Sequence, residues 1–522
     1  MTNTYRAAAG RAAAGRRFRR GGAVLAGTAA LVVASACSDS NVPFLTAPTS
    51  VPATPNGLQQ ALLGLFSASR TDMFQVSIEL SAMSRELTNF TSTEPRFVRY
   101  DTGILPTPVG GWIEMWQAEY QNIRTAQEIL LAIPNVRPAY TTGQAAGLTG
   151  LVQTLEAYNY LLIAWAHDSE GFVIMQSPNA TKLNPLVCLK DGLAYVAALL
   201  DSANTNLNTA GATAFPFKLP PGFAAVGQFA GPSNLPGSFA SFNRALAARA
   251  KLELAYAMAG TQPTFTTAGT PDQGMLMSAD TAMKASALFT PTALPENTAG
   301  GFPYDNNSVL FDFSAQSGDQ VNPMNQNIGT LAVLGQVPSD QDTVNDLRWK
   351  AKFALNPACN PGCTNWPVQL PGLSEVAAPG SPPVASKYIL ATYTAPGAPM
   401  PIIRSENLTL FEAMIRLGLG DFAGAWGYVN DVRTQVGGLP ALNTMVDFVS
   451  TRNQIMKEQE ISTLGEAGAD RLVSIQMYNI AAEADTTWTH VPGYDADAHT
   501  SMFVITSEEF VSRGNVWSPT CQ

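Results

Sequence analysis

Residues 404–440, RSENLTLFEAMIRLGLGDFAGAWGYVNDVRTQVGGLP, have the pattern of two antiparallel helices joined by a tight turn. In the first helix, Leu408, Phe411 and Ile415 recur at three- and four-residue steps, so they share one apolar face. Ser405 stands where a side-chain hydroxyl can cap the helix N-terminus. Gly418 and the following turn predict the end of this helix.

The second helix of this hairpin begins after Asp421, whose carboxylate can accept from the first free N–H groups. Gly437, Gly438 and Pro440 predict where it ends. Its apolar stripe consists of Phe422, Ala425, Val429, Val432 and Val436. A hairpin with two apolar stripes cannot bury both by itself, so further helices must stack against it.

Similar periodicity predicts further helices, separated by long loops. The loops are 88–111, 209–237 and 261–403, and the last is rich in Pro, Gly, Thr and Asn. Loops of this length inside a folded chain are usually functional. The predicted helices start near 57 and then span about 74–87, 112–133, 144–168, 191–207, 242–258 and 447–464.

The composition is that of a folded, acidic protein. Apolar residues make up 46% of the 522 residues and charged residues 13%. Residues 1–36 contain six arginines and no acid; subtracting them from 30 basic residues leaves 24 against 40 acidic ones, a net charge of −16. Such a charge does not favour nucleic acid, because binding requires neutralising phosphates.

The N-terminus has the form of a bacterial export signal. An arginine-rich segment ends at Arg20, an apolar segment runs to Ala34, and Ala34-Ser35-Ala36-Cys37 resembles a lipobox. We expect cleavage before Cys37 and a lipid anchor on its thiol; the alternative is an ordinary signal peptide that contains a cysteine. No later apolar run approaches the ~20 residues of a membrane span.

This reading gives three segments. Residues 1–36 are the signal peptide, 37–55 a lipid-anchored tether rich in Pro, Thr and Ser, and 56–522 one domain. Within that domain the helical scaffold spans mainly 56–260 and 404–480, and the loop-rich region is 261–403. The fold class is therefore mainly α, with stacked helical hairpins and a large loop-rich region.

Four cysteines remain after Cys37. Cys359 and Cys363 flank a tight turn and are the best candidate for a disulfide. Cys188 and Cys521 form the other pair by elimination only. Free thiols remain the alternative for all four, although an exported protein lies in a compartment that permits disulfides.

The chain has few groups that suit catalysis. Of three histidines, His167 precedes Asp168 at a helix end, where a capping or core role is the simpler interpretation. The stretch Asp495-Ala-Asp497-Ala-His499 lacks the glycine and distal glutamate of a calcium loop. Glu458 and Glu460 lie two apart on a predicted helix and point to different sides, unlike a glycosidase pair. We expect no enzyme activity, cofactor or metal.

A series of motifs resembles those of the SusD/RagB family of surface lipoproteins, in the same order. Gln459 departs from this pattern, since the family has Arg there. The motifs are Cys37 and its tether, LQQALLGLF at 58–66, Trp116-x3-Tyr120-x2-Ile123, the Ala157-Tyr158-Asn159-Tyr160-Leu161 helix, RALAARAKLELAYAMAG at 244–260, the 404–440 hairpin with Asn430-Asp431-Val432-Arg433, and Glu458 with Glu466-Ala467-Gly468-Ala469-Asp470-Arg471.

The resemblance implies tetratricopeptide-like helix pairs stacked into a superhelical scaffold. It also implies a cell-surface lipoprotein of the outer membrane that binds glycans, or peptides, and delivers them to a SusC-like TonB-dependent transporter. The alternative is a tetratricopeptide-like envelope scaffold without a small ligand. Sugar rings stack on aromatic side chains and their hydroxyls bind polar ones. The loop residues with this chemistry are Asn89, Arg96, Phe97, Tyr100, Tyr304, Asp305, Trp349 and Trp366. Each aromatic could instead hold its own loop to the core.

Overall fold

The structure is a computed structural model, and all its described residues lie in the unit Val51–Gln522, into which the chain divides after Ser50. The signal peptide, Cys37 and most of the tether lie outside them. The described residues are 51–71, 79–84, 111–175, 183–220, 223, 226–230, 238–260, 264–291, 299–303, 345–355, 388–390, 399–466, 468–480 and 501–513.

Helices dominate the described part of the chain. The helices before the loop-rich region are α1 Pro55–Thr71, α2 Leu80–Met83, α3 Gly111–Val136, α4 Thr142–His167, α5 Leu189–Ala210 and α6 Phe239–Met258. Helix α7, Gln273–Lys284, lies in the first part of that region. The later ones are α8 Leu347–Lys352, α9 Ser405–Gly418, α10 Phe422–Gln435, α11 Phe448–Thr463, α12 Asp470–Tyr478 and α13 Ser507–Ser512.

The helices pack largely in chain order, as stacked hairpins require. Helix α3 packs against α1 and α4, α4 against α5, α5 against α6, and α6 against α7. Helix α7 also contacts α9, which packs against α10 and α11. One continuous apolar core runs between these helices. The mainly α class with stacked, tetratricopeptide-like hairpins is therefore confirmed.

The approach of α4 to α5 depends on a glycine. A Cβ at Gly150 on α4 would lie 2.6 Å from the backbone oxygen of Ala203 on α5 and 3.0 Å from the backbone nitrogen of Leu207. Backbone atoms cannot move aside as a flexible side chain does, so glycine permits the α4–α5 contact at this depth.

The 404–440 hairpin forms as predicted, except at its first cap. Asp421 accepts from Gly424 N at 2.9 Å, and Gly438 adopts a φ of +66° after the second helix ends. The prediction that Ser405 caps α9 is wrong. Because a strand runs directly into α9, the extended residue Arg404 is the N-cap, its N–H donates to Asn407 Oδ1 at 2.8 Å, and Ser405 is already helical and buried.

Four of the described helices, α7, α8, α12 and α13, were not predicted. Helix α7 lies inside the region assigned to loops, where its buried face combines Leu276 and Met283 with the charged Asp280. Helix α12 has only nine residues and begins after Ala469, which has a φ of +48°. Short helices of this kind form mainly through tertiary packing, so their local sequence signal is weak.

The strands form short antiparallel pairs, three of them among the described residues. One pair joins a strand within the loop-rich region, residues 299–303, to the strand at its end, residues 399–404, immediately before α9. The pairs are β1 Phe172–Val173 with β2 Leu186–Val187, β3 Ala299–Pro303 with β6 Pro399–Arg404, and β4 Phe353–Leu355 with β5 Tyr388–Leu390.

Candidate ligand-binding region and its attachment

Of the predicted ligand residues, the structure describes Trp349 alone. This residue lies on α8, is 6% exposed and packs in the apolar core. Its burial favours the alternative reading, in which the ring holds its own segment to the scaffold. The others, Asn89, Arg96, Phe97, Tyr100, Tyr304, Asp305 and Trp366, lie outside the described residues, as do Cys359, Cys363 and the Asp495–His499 stretch.

The structure does show how the loop-rich region is attached to the scaffold. Three cations from this region and its boundary, Arg348, Lys352 and Arg404, reach carboxylates of the scaffold helices and are all buried. Buried charges are tolerated only when they are paired, so these contacts define the position of the region's described segments.

Glu458 on α11 is the centre of the first ionic cluster. It is 1% exposed, and its carboxylate lies 2.6 Å from Arg348 Nη2 and 3.3 Å from Arg433 Nη1. Arg348 also contacts Asp346 at 2.6 Å and donates to Ser462 Oγ at 2.8 Å. One glutamate therefore joins α8, α10 and α11.

Glu466 is the centre of the second ionic cluster. Its carboxylate lies 2.8 Å from Arg404 Nη2 and 3.0 Å from Lys352 Nζ. Arg404 also pairs with Glu406 at 2.7 Å, and both cations donate to the Ser462 carbonyl oxygen. This cluster fixes the end of β6 and the end of α8 to the same turn.

The charges in the second cluster reinforce each other. Burial favours a lower pKa for Arg404, but the charges of Glu466 and Glu406 outweigh it and raise that pKa above its ordinary value. Burial favours a higher pKa for Glu406, yet Arg404 and Lys352 together hold it below its ordinary value. Both groups are therefore ionised over the physiological range.

The third ionic cluster joins α6 to α12. Arg249 Nη1 lies 2.8 Å from Asp470, and Arg249 Nε donates to Glu253 at 2.9 Å. The guanidinium stacks 3.8 Å from the ring centroid of Trp165, whose indole N–H donates to Glu253 at 3.1 Å. The guanidinium therefore contacts both carboxylates and the indole ring within the core.

These clusters give structural roles to residues of the motifs that resemble those of the SusD/RagB family. Glu460 pairs with Arg471 at 3.1 Å, whereas Glu458 binds other arginines, so the prediction that the two glutamates point to different sides is confirmed. Gln459, at the departure from the family pattern, accepts from Ser474 Oγ at 2.8 Å. The motif side chains thus hold helices together.

The Asn430–Arg433 motif fixes the turn after α10. Asn430 accepts from Leu442 N at 2.8 Å and donates to Leu442 O at 3.0 Å. Arg433 Nε donates to Pro440 O at 2.7 Å while its Nη1 reaches Glu458. The motif therefore connects this turn to the first ionic cluster.

His167 is a core residue, as the sequence indicated. Its ring is fully buried, contacts Trp116 edge-on at 4.8 Å, and has Nδ1 3.0 Å from Phe503 O. A carbonyl only accepts, so Nδ1 carries the proton. Burial lowers the pKa of His167 to about 4, because a second proton on the buried ring would be poorly solvated.

This shift makes stability depend on pH. The pKa of His167 is lower in the folded chain than its ordinary 6.5, so its contribution is present above pH 6.5 and lost as pH falls towards 4. We expect this group to cost about 2–3 kcal/mol of unfolding free energy between pH 7 and 4.5. Urea unfolding at both pH values should show a smaller loss for His167→Gln than for the wild type. Equal losses would contradict this assignment.

The described residues hold no group of three or more His, Cys, Asp and Glu side chains arranged to bind a metal. Within the same residues, no helix has both the length and the apolar character of a membrane span. Cys188, at the N-cap of α5, is disulfide-bonded, which excludes the free-thiol alternative for this cysteine.

Comparison with known proteins identifies the fold. No protein-family model matches the sequence, and no curated protein matches it. Among solved structures, a SusD-like carbohydrate-binding protein of Bacteroides fragilis has a TM-score of 0.60 and 14% identity, covering 88% of this chain and 98% of that one. A SusD homologue of Bacteroides thetaiotaomicron has a TM-score of 0.58 and 14% identity, covering 87% and 95%. A laminarin-binding SusD-like protein has a TM-score of 0.56 and 17% identity, covering 87% and 97%.

The chain therefore has the SusD-like fold over most of its length. This agrees with the family resemblance of the motifs, which the ionic clusters now account for in physical terms.

Proposed function

We propose that this protein is a non-enzymatic, lipid-anchored outer-membrane protein that binds oligosaccharides and passes them to a SusC-like TonB-dependent transporter. The observation that carries the proposal is the SusD-like fold. The structural match extends over nearly the full length of one protein described as carbohydrate-binding and of another described as laminarin-binding. The ligand would lie in the loop-rich region and in the loop 88–111, where the sequence places aromatic and polar side chains together.

The ionic clusters support a binding role. They hold α8, in the middle of the loop-rich region, and Arg404, directly after its end, against the scaffold, and a binding site gains affinity when its frame is ordered before the ligand arrives. The carboxylates in these clusters are buried and paired with arginine or lysine. This pairing favours a structural role for them over a role as catalytic acid or base.

The membrane and transporter parts of the proposal rest on the sequence and the fold. Acylation of Cys37 would hold the protein at the membrane, and residues 38–55 would let the domain reach a barrel in the same membrane. Fractionation tests the anchor: Cys37→Ala should move the protein from the membrane to the soluble fraction, and retention in the membrane would contradict it.

The transporter partnership is tested by isolating the native lipoprotein in mild detergent. We expect a large β-barrel protein to co-purify with it, and to be absent from a parallel isolation that uses Cys37→Ala. Co-purification of envelope proteins other than a barrel, together with no ligand binding, would instead favour the scaffold alternative and overturn the proposal.

A further inference from the structure

A cavity of about 660 Å³ lies within the helical scaffold, among α4, α5, α6 and α12. Its volume is in the range of small-ligand sites in proteins. The residues that line it are different from the loop residues proposed to bind oligosaccharides. The cavity is therefore a separate candidate site, and its occupancy does not depend on the function proposed above.

The inner wall of the cavity is largely apolar and rigid. Trp165, Tyr256, Phe265 and Val473 line it and are buried in the core. Phe265 N donates to Tyr478 O at 3.0 Å, which holds its segment against α12. A wall of this kind suits the apolar part of a small ligand.

The charge around the cavity is negative. Asp168, Asp191 and Glu253 line it, against the single cation Lys190, which is exposed. Helices α4, α6 and α12 also end at the cavity, where Asp168, Gly260 and Asn479 follow their last turns. Helix C-termini carry partial negative charge on their carbonyl groups and add to the field of the carboxylates, whereas α5 begins at the cavity and the partial positive charge of its N-terminus opposes that field.

Among the described residues, neither Asp168 nor Asp191 has an ion-pair partner, and Asp168 is the less exposed of these two lining carboxylates. Glu253 is paired with Arg249 at 2.9 Å and accepts from the Trp165 indole, whereas Asp168 has no ion-pair partner among the residues that the structure describes. The desolvation of this partly buried group raises the pKa of Asp168 to about 6, and the charge of Glu253 adds to the rise, while a hydrogen bond from the Ser169 backbone N–H opposes it. A cation beside this carboxylate would form an ion pair with it.

We propose that this cavity binds an organic cation: a primary amine on a short apolar stem, of the size of a lysine side chain or an alkyl diamine. The ammonium group lies at Asp168, and the stem lies along the wall formed by Tyr256, Phe265 and Val473. An anion would face three carboxylates, and a neutral ligand would form no ion pair with Asp168.

Calorimetric titration of the full mature chain tests this site. The probes are 1,5-diaminopentane and its neutral isostere 1,5-pentanediol, at low salt and pH 7.5. We expect the diamine to bind at least about tenfold more tightly than the diol, because only the diamine forms a charge-assisted hydrogen bond. Equal binding of the two probes, or no diamine binding at millimolar concentration, would overturn the proposal.

Two variants locate the site. Asp168→Asn keeps the side-chain size and tolerates the φ of 39° at this position, and it should weaken diamine binding at least about tenfold. Ala257→Leu should also weaken binding, because it fills the cavity. The control, Asp431→Asn, removes a carboxylate on α10 that does not line the cavity and should bind as the wild type does. Wild-type affinity in both cavity variants would overturn the assignment.

Discussion

Glu458→Ala is expected to lower the free energy of unfolding by about 3–5 kcal/mol, because it removes a buried carboxylate that pairs with two buried arginines. The Glu458 carboxylate contacts Arg348 at 2.6 Å and Arg433 at 3.3 Å, and all three side chains are at most 5% exposed. Arg348 retains its pair with Asp346, but the direct ionic contact between α8 and α11 is lost. Urea or thermal unfolding measures the effect.

The matched control for this prediction is a glutamate in an exposed pair. Glu128→Ala breaks an i,i+4 contact of 3.2 Å with Arg124. The side chain of Glu128 is 16% exposed and that of Arg124 is 40% exposed. Such a pair contributes at most about 0.5 kcal/mol. A Glu458→Ala loss no larger than that of Glu128→Ala would show that the buried cluster does not hold the scaffold together.

Gly171→Ala is expected to cost about 2–4 kcal/mol of unfolding free energy. Gly171 has a φ of +79°, and a Cβ there would lie 2.2 Å from the carbonyl oxygen of Val187 on the neighbouring strand. Part of the loss comes from a backbone conformation, φ +79° and ψ −171°, that is essentially restricted to glycine, and the rest from the overlap with backbone that cannot move aside.

Gly260→Ala separates these two contributions. Gly260 has a nearly identical φ of +75°, but no atom lies within 4 Å of a Cβ at that position. We therefore expect only the backbone cost, about 1 kcal/mol, for this variant. Unfolding curves that show equal losses for the two variants would contradict a steric role for Gly171 between α4 and β1.

The regular helices were predictable because their apolar stripes are long. Helix α4, for example, was expected at 144–168 and spans Thr142–His167. Helix α7 was missed because its packing against α6 and α9, not its own pattern, makes it helical. The Ser405 cap failed because β6 continues to Arg404, and no local pattern shows where a preceding strand ends.

The ionic clusters were beyond sequence reasoning because they join distant positions. Arg348 and Glu458 are separated by 110 residues, and a lone Arg in a loop-rich stretch gives no sign of burial. The family resemblance did mark Arg433, Glu458 and Asp470, but without a role. Trp349 was assigned to a ligand loop because the sequence around it is rich in residues that favour turns. In the structure it lies on the six-residue helix α8, which buries it against the scaffold.

Binding of oligosaccharides to the purified mature protein tests the central claim most directly. On an oligosaccharide array with a parallel peptide pool, we predict binding to at least one glycan, weakened at least about tenfold by Tyr100→Ala or Trp366→Ala. Tyr140→Ala, a change on the helical scaffold, should leave binding unchanged. The absence of any glycan binding by the folded wild-type protein, or binding confined to peptides, would contradict the proposal that this SusD-like chain captures oligosaccharides.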